Sequence, residues 1–166
     1  MATLSNKILF QNFNKEAIEE MRTQLDRNKI TASGTTKREL TSEATNYRST
    51  IEGVDYMRWQ EDGRGATRNT GDGSLKEKIL EWIDDKPIPL FRDRKGRFME
   101  KKTMAFLIAR KIHQEGTLLH RLGEHVDVFS NVLTEERVND LIDQLGINFE
   151  AEVRSDLIKK LEAIKA

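Results

Sequence analysis

The sequence predicts an α+β fold: a small antiparallel β-sheet packed against helices, with a helical C-terminal region. Three observations predict it. Apolar residues recur at helical spacing near both ends of the chain and across residues 75–116. Residues 39–52 instead alternate in polarity and gain β-branched and aromatic side chains, with Asn46 and Tyr47 placed to turn the chain. At 166 residues the chain has room for a real core in one domain. We expect a single domain over residues 1–166, with its core at 8–117 and a helical extension at 134–165.

The first helix is expected to start at Asn14, whose side chain would cap the first turn. Phe13 and Ile18 would form a hydrophobic staple. Ala17, Ile18, Met21 and Leu25 fall on one face, and Asn28 ends the segment. Ordinary packing of this face is favoured over a membrane role. Residues 31–38 are small and polar, with Gly34 at a turn. Residues 39–52 form a two-stranded hairpin, which alone would be marginal and should pack on other elements. Val54, Tyr56, Met57 and Trp59 fit a short helix or an irregular strand end equally well.

Residues 61–73 carry four glycines and predict an exposed loop. Ser74 would cap a helix at 75–84 that buries Leu75, Ile79, Trp82 and Ile83. Pro87 and Pro89 stop it. Asp93 to Arg97 read as a polar turn. Residues 100–115 predict a helix apolar over most of its circumference, hence a central core helix ended by Gly116 in a left-handed cap. On that basis Phe106→Ala should cost about 3–5 kcal/mol, and Leu107→Asp should unfold the domain through a buried carboxylate. Residues 118–124 carry no clear signal. Residues 126–133 have strand-like composition. Thr134 is a good N-cap, with Glu135 and Glu136 in the first turn. Val138, Leu141, Ile142 and Leu145 follow at helical spacing. Gly146 is expected to interrupt the helix before Phe149, Val153, Leu157, Leu161 and Ile164 resume it.

Composition narrows the function classes. Twenty-eight basic and twenty-eight acidic side chains cancel, so total charge shows no footprint of a nucleic-acid binder. Charged residues at 34% suit a soluble protein with a wide solvated surface. There is no cysteine, which excludes disulfides and thiolate metal sites. The first residues lack a basic region followed by an apolar run, and no segment is apolar for a bilayer's length. We therefore expect cytosolic synthesis and no membrane partner.

Catalytic chemistry finds little support. A P-loop needs four residues between its glycine and Gly-Lys-Ser/Thr, but five separate Gly65 from Gly71, and Asp72 stands where the lysine belongs. His113, His120 and His125 lack the spacing of a His-Glu-x-x-His zinc site. The pairs Asp84–Asp85 and Glu61–Asp62 flank a helix end and a glycine loop, where solvated carboxylates are the simpler assignment. We expect no enzyme, no cofactor and no metal site. The central third is locally basic through Arg58, Arg64, Arg68, Arg92, Arg94, Lys95 and Arg97. Glu61, Asp62, Asp72 and Asp93 are interleaved with them, which favours a mixed-charge contact between protein subunits over phosphate-backbone binding.

In combination, several stretches resemble the tail-completion (neck, or head–tail joining) proteins of long-tailed bacteriophages. They are Thr31-Ala32-Ser33-Gly34, then Ile51-Glu52-Gly53-Val54-Asp55-Tyr56 and Glu61-Asp62-Gly63-Arg64. Leu80-Glu81-Trp82-Ile83 and residues 105–117, from Ala105 to Thr117, complete the set. The likeness covers residues 31–117 and fades toward the C-terminus. It implies a small α+β fold with no catalysis and no cofactor. It implies rings, commonly hexameric with a dodecamer as the larger alternative, between the portal complex and the tail tube. DNA would pass through the ring lumen. The implied location is the virion neck or tail, assembled in the host bacterial cytoplasm. The insertion at 87–98 and the long C-terminal helical region depart from the commoner pattern and leave the neck layer open.

Ser33, Lys37, Arg38, Arg58, Glu61, Arg64 and Arg68 are the expected interface residues. Arg is enriched at interfaces, where its planar fork binds carboxylates bidentately. The alternative function is a nucleic-acid-binding module using the basic central third.

Overall fold

The computed structural model describes residues 5–30, 33–67, 74–86 and 88–165. The architecture is α+β and mostly helical. In chain order it contains α1 (Asn6–Arg27), α2 (Thr35–Arg38), β1 (Thr41–Ala44), β2 (Ser49–Glu52) and α3 (Met57–Asp62). Then come α4 (Ser74–Asp85), α5 (Lys101–Glu115), α6 (Leu118–Leu122) and the long α7 (Glu135–Lys165). Two compact units divide the chain. The first holds Met1–Gln24, Glu39–Gly53 and Val128–Ala166; the second holds Leu25–Arg38 and Val54–Asp127.

In the first unit, α1 starts eight residues before Asn14, so Asn14 is not a cap. It sits mid-helix, fully buried, and its Oδ1 accepts from the Ser49 hydroxyl at 2.8 Å. The amides of Ile8 and Leu9 donate to the Ser5 carbonyl, so the apolar residues before Asn14 extend the helix. The Asn46 side chain accepts from the first-turn amide of Lys7 at 3.2 Å. That contact satisfies one of the donors every helix start leaves open. The apolar face is as expected: Ala17, Ile18, Met21 and Leu25 are all buried.

β1 and β2 pair antiparallel, with Thr41 opposite Glu52 and Ala44 opposite Ser49. Thr45 builds the turn. Its Oγ1 accepts from the amides of Tyr47 and Arg48, and its own amide donates to the Arg48 carbonyl at 2.8 Å. Such hydroxyl-to-backbone bonds stabilise turns locally.

Residues 126–133 do not form a strand. Within this unit, Val128, Phe129 and Val132 are buried in a run of turns, and the amides of Val132 and Leu133 both fold back onto the Phe129 carbonyl. Apolar content alone did not supply a paired edge. α7 then begins as expected: the Arg137 amide donates to Thr134 Oγ1 at 3.3 Å. Arg137 also joins α7 to α1, with Nη1 2.7 Å from Glu20 and its guanidinium over the Phe13 ring. Asn148 donates to Asn6 Oδ1 at 3.2 Å, both side chains buried. Gly146 does not interrupt α7. A helical glycine costs only about 1 kcal/mol relative to alanine, and good helix formers on both sides outweigh that.

The second unit is centred on the α4–α5 pair. Ile83, Met104 and Ala105 form its buried cluster, with Ile79, Leu80, Ile88, Leu90 and Ile108 packed around them. α5 is not buried all round. Met104, Ala105 and Ala109 face inward, but Phe106 is 50% and Leu107 41% exposed. One helical neighbour covers one face, and the remaining apolar side chains stay in solvent. Trp82 is likewise half-exposed, beneath the Lys86 ammonium. α4 ends at Asp85; Pro87 lies outside the described residues. The polar turn forms as expected, closed by the Asp93 amide donating to the Arg97 carbonyl and by an isolated bridge between Arg92 and Phe98. Residues 118–122, without a sequence signal, form the short α6.

Candidate functional site

The described interface residues, Ser33, Lys37, Arg38, Arg58, Glu61 and Arg64, all lie in the second unit. Residues 57–62 resolve as a helix, α3, which its chain neighbours position through local bonds. The Met57 amide donates to Val54 and the Trp59 amide to Tyr56. Gly63 ends α3 with φ 73° and ψ 176°, and its amide donates to the Trp59 carbonyl. Trp59 is exposed, and two guanidiniums lie over its ring. Arg58 lies 5.4 Å and Arg64 5.3 Å from its ring centroid. Cations over an indole face are attracted by its quadrupole. The three side chains therefore present an aromatic ring with two charges over it.

Ser33, Thr35 and Arg38 form a small self-bonded unit. Ser33 Oγ shares a hydrogen bond with Thr35 Oγ1 at 2.8 Å, and Arg38 donates to the Ser33 carbonyl and to Thr35 Oγ1. Lys37 pairs with Asp26 at 2.7 Å. Buried Thr36 makes the link: Gln60 Nε2 donates to its Oγ1 at 3.0 Å. That bond links α2 to α3 at one point. The Glu61 carbonyl accepts from the Val126 amide at 3.0 Å. Arg68, Thr31, Ala32 and residues 69–73 lie outside the described residues.

The described start of the glycine loop is not a free exposed loop. Gly63 is buried, and residues 63–67 are strapped onto the end of α5. The Thr117 amide donates to the Arg64 carbonyl at 2.8 Å, while the Arg64 amide donates to Thr117 Oγ1 at 2.9 Å. The Thr67 amide donates to the His113 carbonyl, and Thr67 Oγ1 bonds the ring Nδ1 of His113. A Cβ added at Gly63 would lie 2.5 Å from Thr117 Oγ1 and 2.6 Å from the His120 amide. Glycine is required here because backbone meets backbone. Gly116 is part of the same knot. Its φ is 85°, but its ψ of 177° is extended, so it is not the expected left-handed cap. From that turn the Thr117 amide and hydroxyl meet the Arg64 backbone.

The sequence did not mark Thr36, Gln60, Thr117 or His120 for these roles. Thr117 follows a helix-ending glycine, a pattern shared by many surface threonines. Gln60 carries no local signal, because its partner lies 24 residues away.

The histidines are dispersed in role. His113 holds Thr67, His120 packs against Gly65, and His125 Nδ1 lies 3.0 Å from Asp62. Asp84 pairs with Lys101. Among the described residues, no three His, Asp or Glu side chains are grouped to hold a metal ion, and no helix is long and apolar enough to cross a membrane. What the Arg58–Trp59–Arg64 cluster offers chemically is recognition: stacking, charge pairing and a pinned backbone beneath it. No protein-family model, curated protein or solved structure matches this chain.

Proposed function

We propose that this protein is a structural virion component of a tailed bacteriophage, a ring-forming neck or tail-completion subunit that joins the portal complex to the tail. The sequence resemblance suggests the family. The observation that carries the contact surface is the Gln60–Thr36 bond, which joins the two interface stretches. Trp and Arg are the side chains that most often dominate interface energetics. Here an exposed Trp59 carries two of them over its ring, and the Arg64 backbone is fixed by Thr117. Head-to-tail contact through such a cluster closes into a ring when the rotation permits. A hexamer is the ring we favour, with a dodecamer as the alternative. Portal, head-completion and tail-tube proteins are its neighbours, and DNA passes through its lumen. The protein works in the virion neck after assembly in the host cytoplasm, without an enzymatic step or cofactor.

The test is a joining reaction between purified heads and tails supplemented with the full chain. Arg58→Glu combined with Arg64→Glu should leave circular dichroism unchanged, because both side chains project from a backbone held by other residues. It should abolish joining and annular particles in electron micrographs. A folded double variant that still joins heads to tails would overturn the reading. DNA affinity falling linearly on log–log axes with salt would move the assignment to nucleic-acid binding.

A further inference from the structure

Two three-residue patterns on this chain are complementary. The first is cation, ring, cation. Arg58 and Arg64 lie over the exposed Trp59 ring, and neither guanidinium has a carboxylate partner among the described residues. Arg64 is only half-exposed. Both charges lie within 5.4 Å of one ring centroid. They are therefore no farther apart than two turns of an α-helix, about 10.8 Å.

The second pattern is acid, aliphatic, acid. On α7, Asp143, Ile147 and Glu150 follow at steps of four and three residues, so they share one helical face. All three are exposed, Ile147 by 64%. Buried Asn148 and half-buried Leu141 and Leu145 lie on the opposite side of the helix. The two acidic positions stand about 10.5 Å apart along the axis, with Ile147 between them. Neither carboxylate makes an ion pair among the described residues. Glu136 and Asp140 extend the face toward the start of α7, and Arg154 closes it one turn past Glu150. Ile147 is the one apolar side chain among these positions.

We propose that the Arg58–Trp59–Arg64 cluster of one copy takes the Asp143–Ile147–Glu150 face of a neighbouring copy. The indole packs on Ile147, and the two guanidiniums reach the carboxylates before and after it. Exposed ion pairs add little stability, so burial of Trp59 against Ile147 supplies the attraction. The charges set the register: Arg154 repels the guanidiniums from positions farther along the helix. The occupant is a second copy because the complement stands on this same chain, whose zero net charge leaves little long-range repulsion between copies. The cluster belongs to the second unit and the acidic face to the first, so the contact is heterologous and each copy offers both halves. The pairing rests on the reading of the cluster as a contact between copies.

Exchanging the charges on the full chain tests it. Sedimentation equilibrium should show the natural chain associating with itself. Arg58→Glu with Arg64→Glu should weaken that association at least about tenfold, and so should Asp143→Arg with Glu150→Arg, because each sets like charges face to face. An equimolar mixture of the two variants should associate again, since each supplies the charges that the other needs. Glu152→Arg with Asp156→Arg shifts the net charge equally on another side of α7 and should leave association unchanged. Circular dichroism should be the same for all, because none of the altered residues is buried. Folded variants that fail to recover on mixing would overturn the proposal. So would a natural chain that stays monomeric at every concentration, whatever acidic protein or DNA it bound. Head–tail joining separates this pairing from the neck reading. Joining blocked by Arg58→Glu with Arg64→Glu but not by the exchange on α7 keeps the neck reading and removes the pairing. Variants that recover association on mixing, in a protein that never joins heads to tails, keep the pairing and remove the neck reading.

Discussion

The Gln60 side-chain amide donates to Thr36 Oγ1 at 3.0 Å and so unites two stretches that lie 24 residues apart. Thr36 is buried, and its acceptor oxygen has a specific partner. Thr36→Val keeps the shape and removes the acceptor. The amide would then lose its bond in a partly buried place, at a cost of about 1–3 kcal/mol. Urea unfolding should show the midpoint falling at constant slope. An unchanged midpoint would mean that α2 and α3 are held together by other contacts.

Gly63 and Gly96 make a matched comparison. Both have positive φ, 73° and 76°. Nothing lies within 4 Å of a Cβ at Gly96, whereas one at Gly63 meets the His120 backbone. Gly96→Ala should pay only the conformational penalty, about 1–2 kcal/mol. Gly63→Ala should add a clash that flexible side chains cannot absorb, worth about 1–3 kcal/mol more. Thermal melts of the two variants should therefore separate clearly. Equal melting temperatures would refute the tight packing of residues 63–67 on Thr117 and His120.

Along α5, position decides the effect of truncation. Met104 is fully buried, so Met104→Ala should cost about 2–5 kcal/mol. Phe106 is half in solvent, so Phe106→Ala should cost well under the about 3–5 kcal/mol of a buried phenylalanine. Leu107→Asp should fold, since a carboxylate there can reach water. Chemical denaturation of the three variants tests the order; an unfolded Leu107→Asp chain would contradict it.

Asp93 should titrate below its ordinary value of 3.8. The Arg97 amide donates to its carboxylate, and the Arg97 guanidinium and the Lys95 amide add to the effect. A depressed carboxyl pKa stabilises the folded turn above the ordinary value. That contribution disappears as pH falls through the lowered one. Carboxyl chemical shifts across an acid titration should show the depression, and Asp93→Asn should remove the corresponding acid-dependent change in the 92–98 turn. An ordinary titration midpoint at Asp93 would rule this out.

What the sequence by itself determined was whatever depends on neighbours in the chain. The buried face of Ala17, Ile18, Met21 and Leu25, the antiparallel hairpin, the Thr134 cap and the Asp93–Arg97 turn all follow from periodicity or from side chains that bond their own backbone a few residues away. What only the tertiary structure decided was how many sides of each element find a partner. The apolar run around Phe106 read as core in one dimension, yet Phe106 and Leu107 are exposed. Residues 126–133 had strand composition yet fold into turns, while Asn14 looked like a cap and lies inside a longer helix. The Thr36–Gln60 bond and the close approach of Gly63 to His120 join residues that no local signal connects. The physical reason is that helix and turn propensities arise within a few residues. Burial, by contrast, belongs to pairs of surfaces that meet only when distant segments fold together.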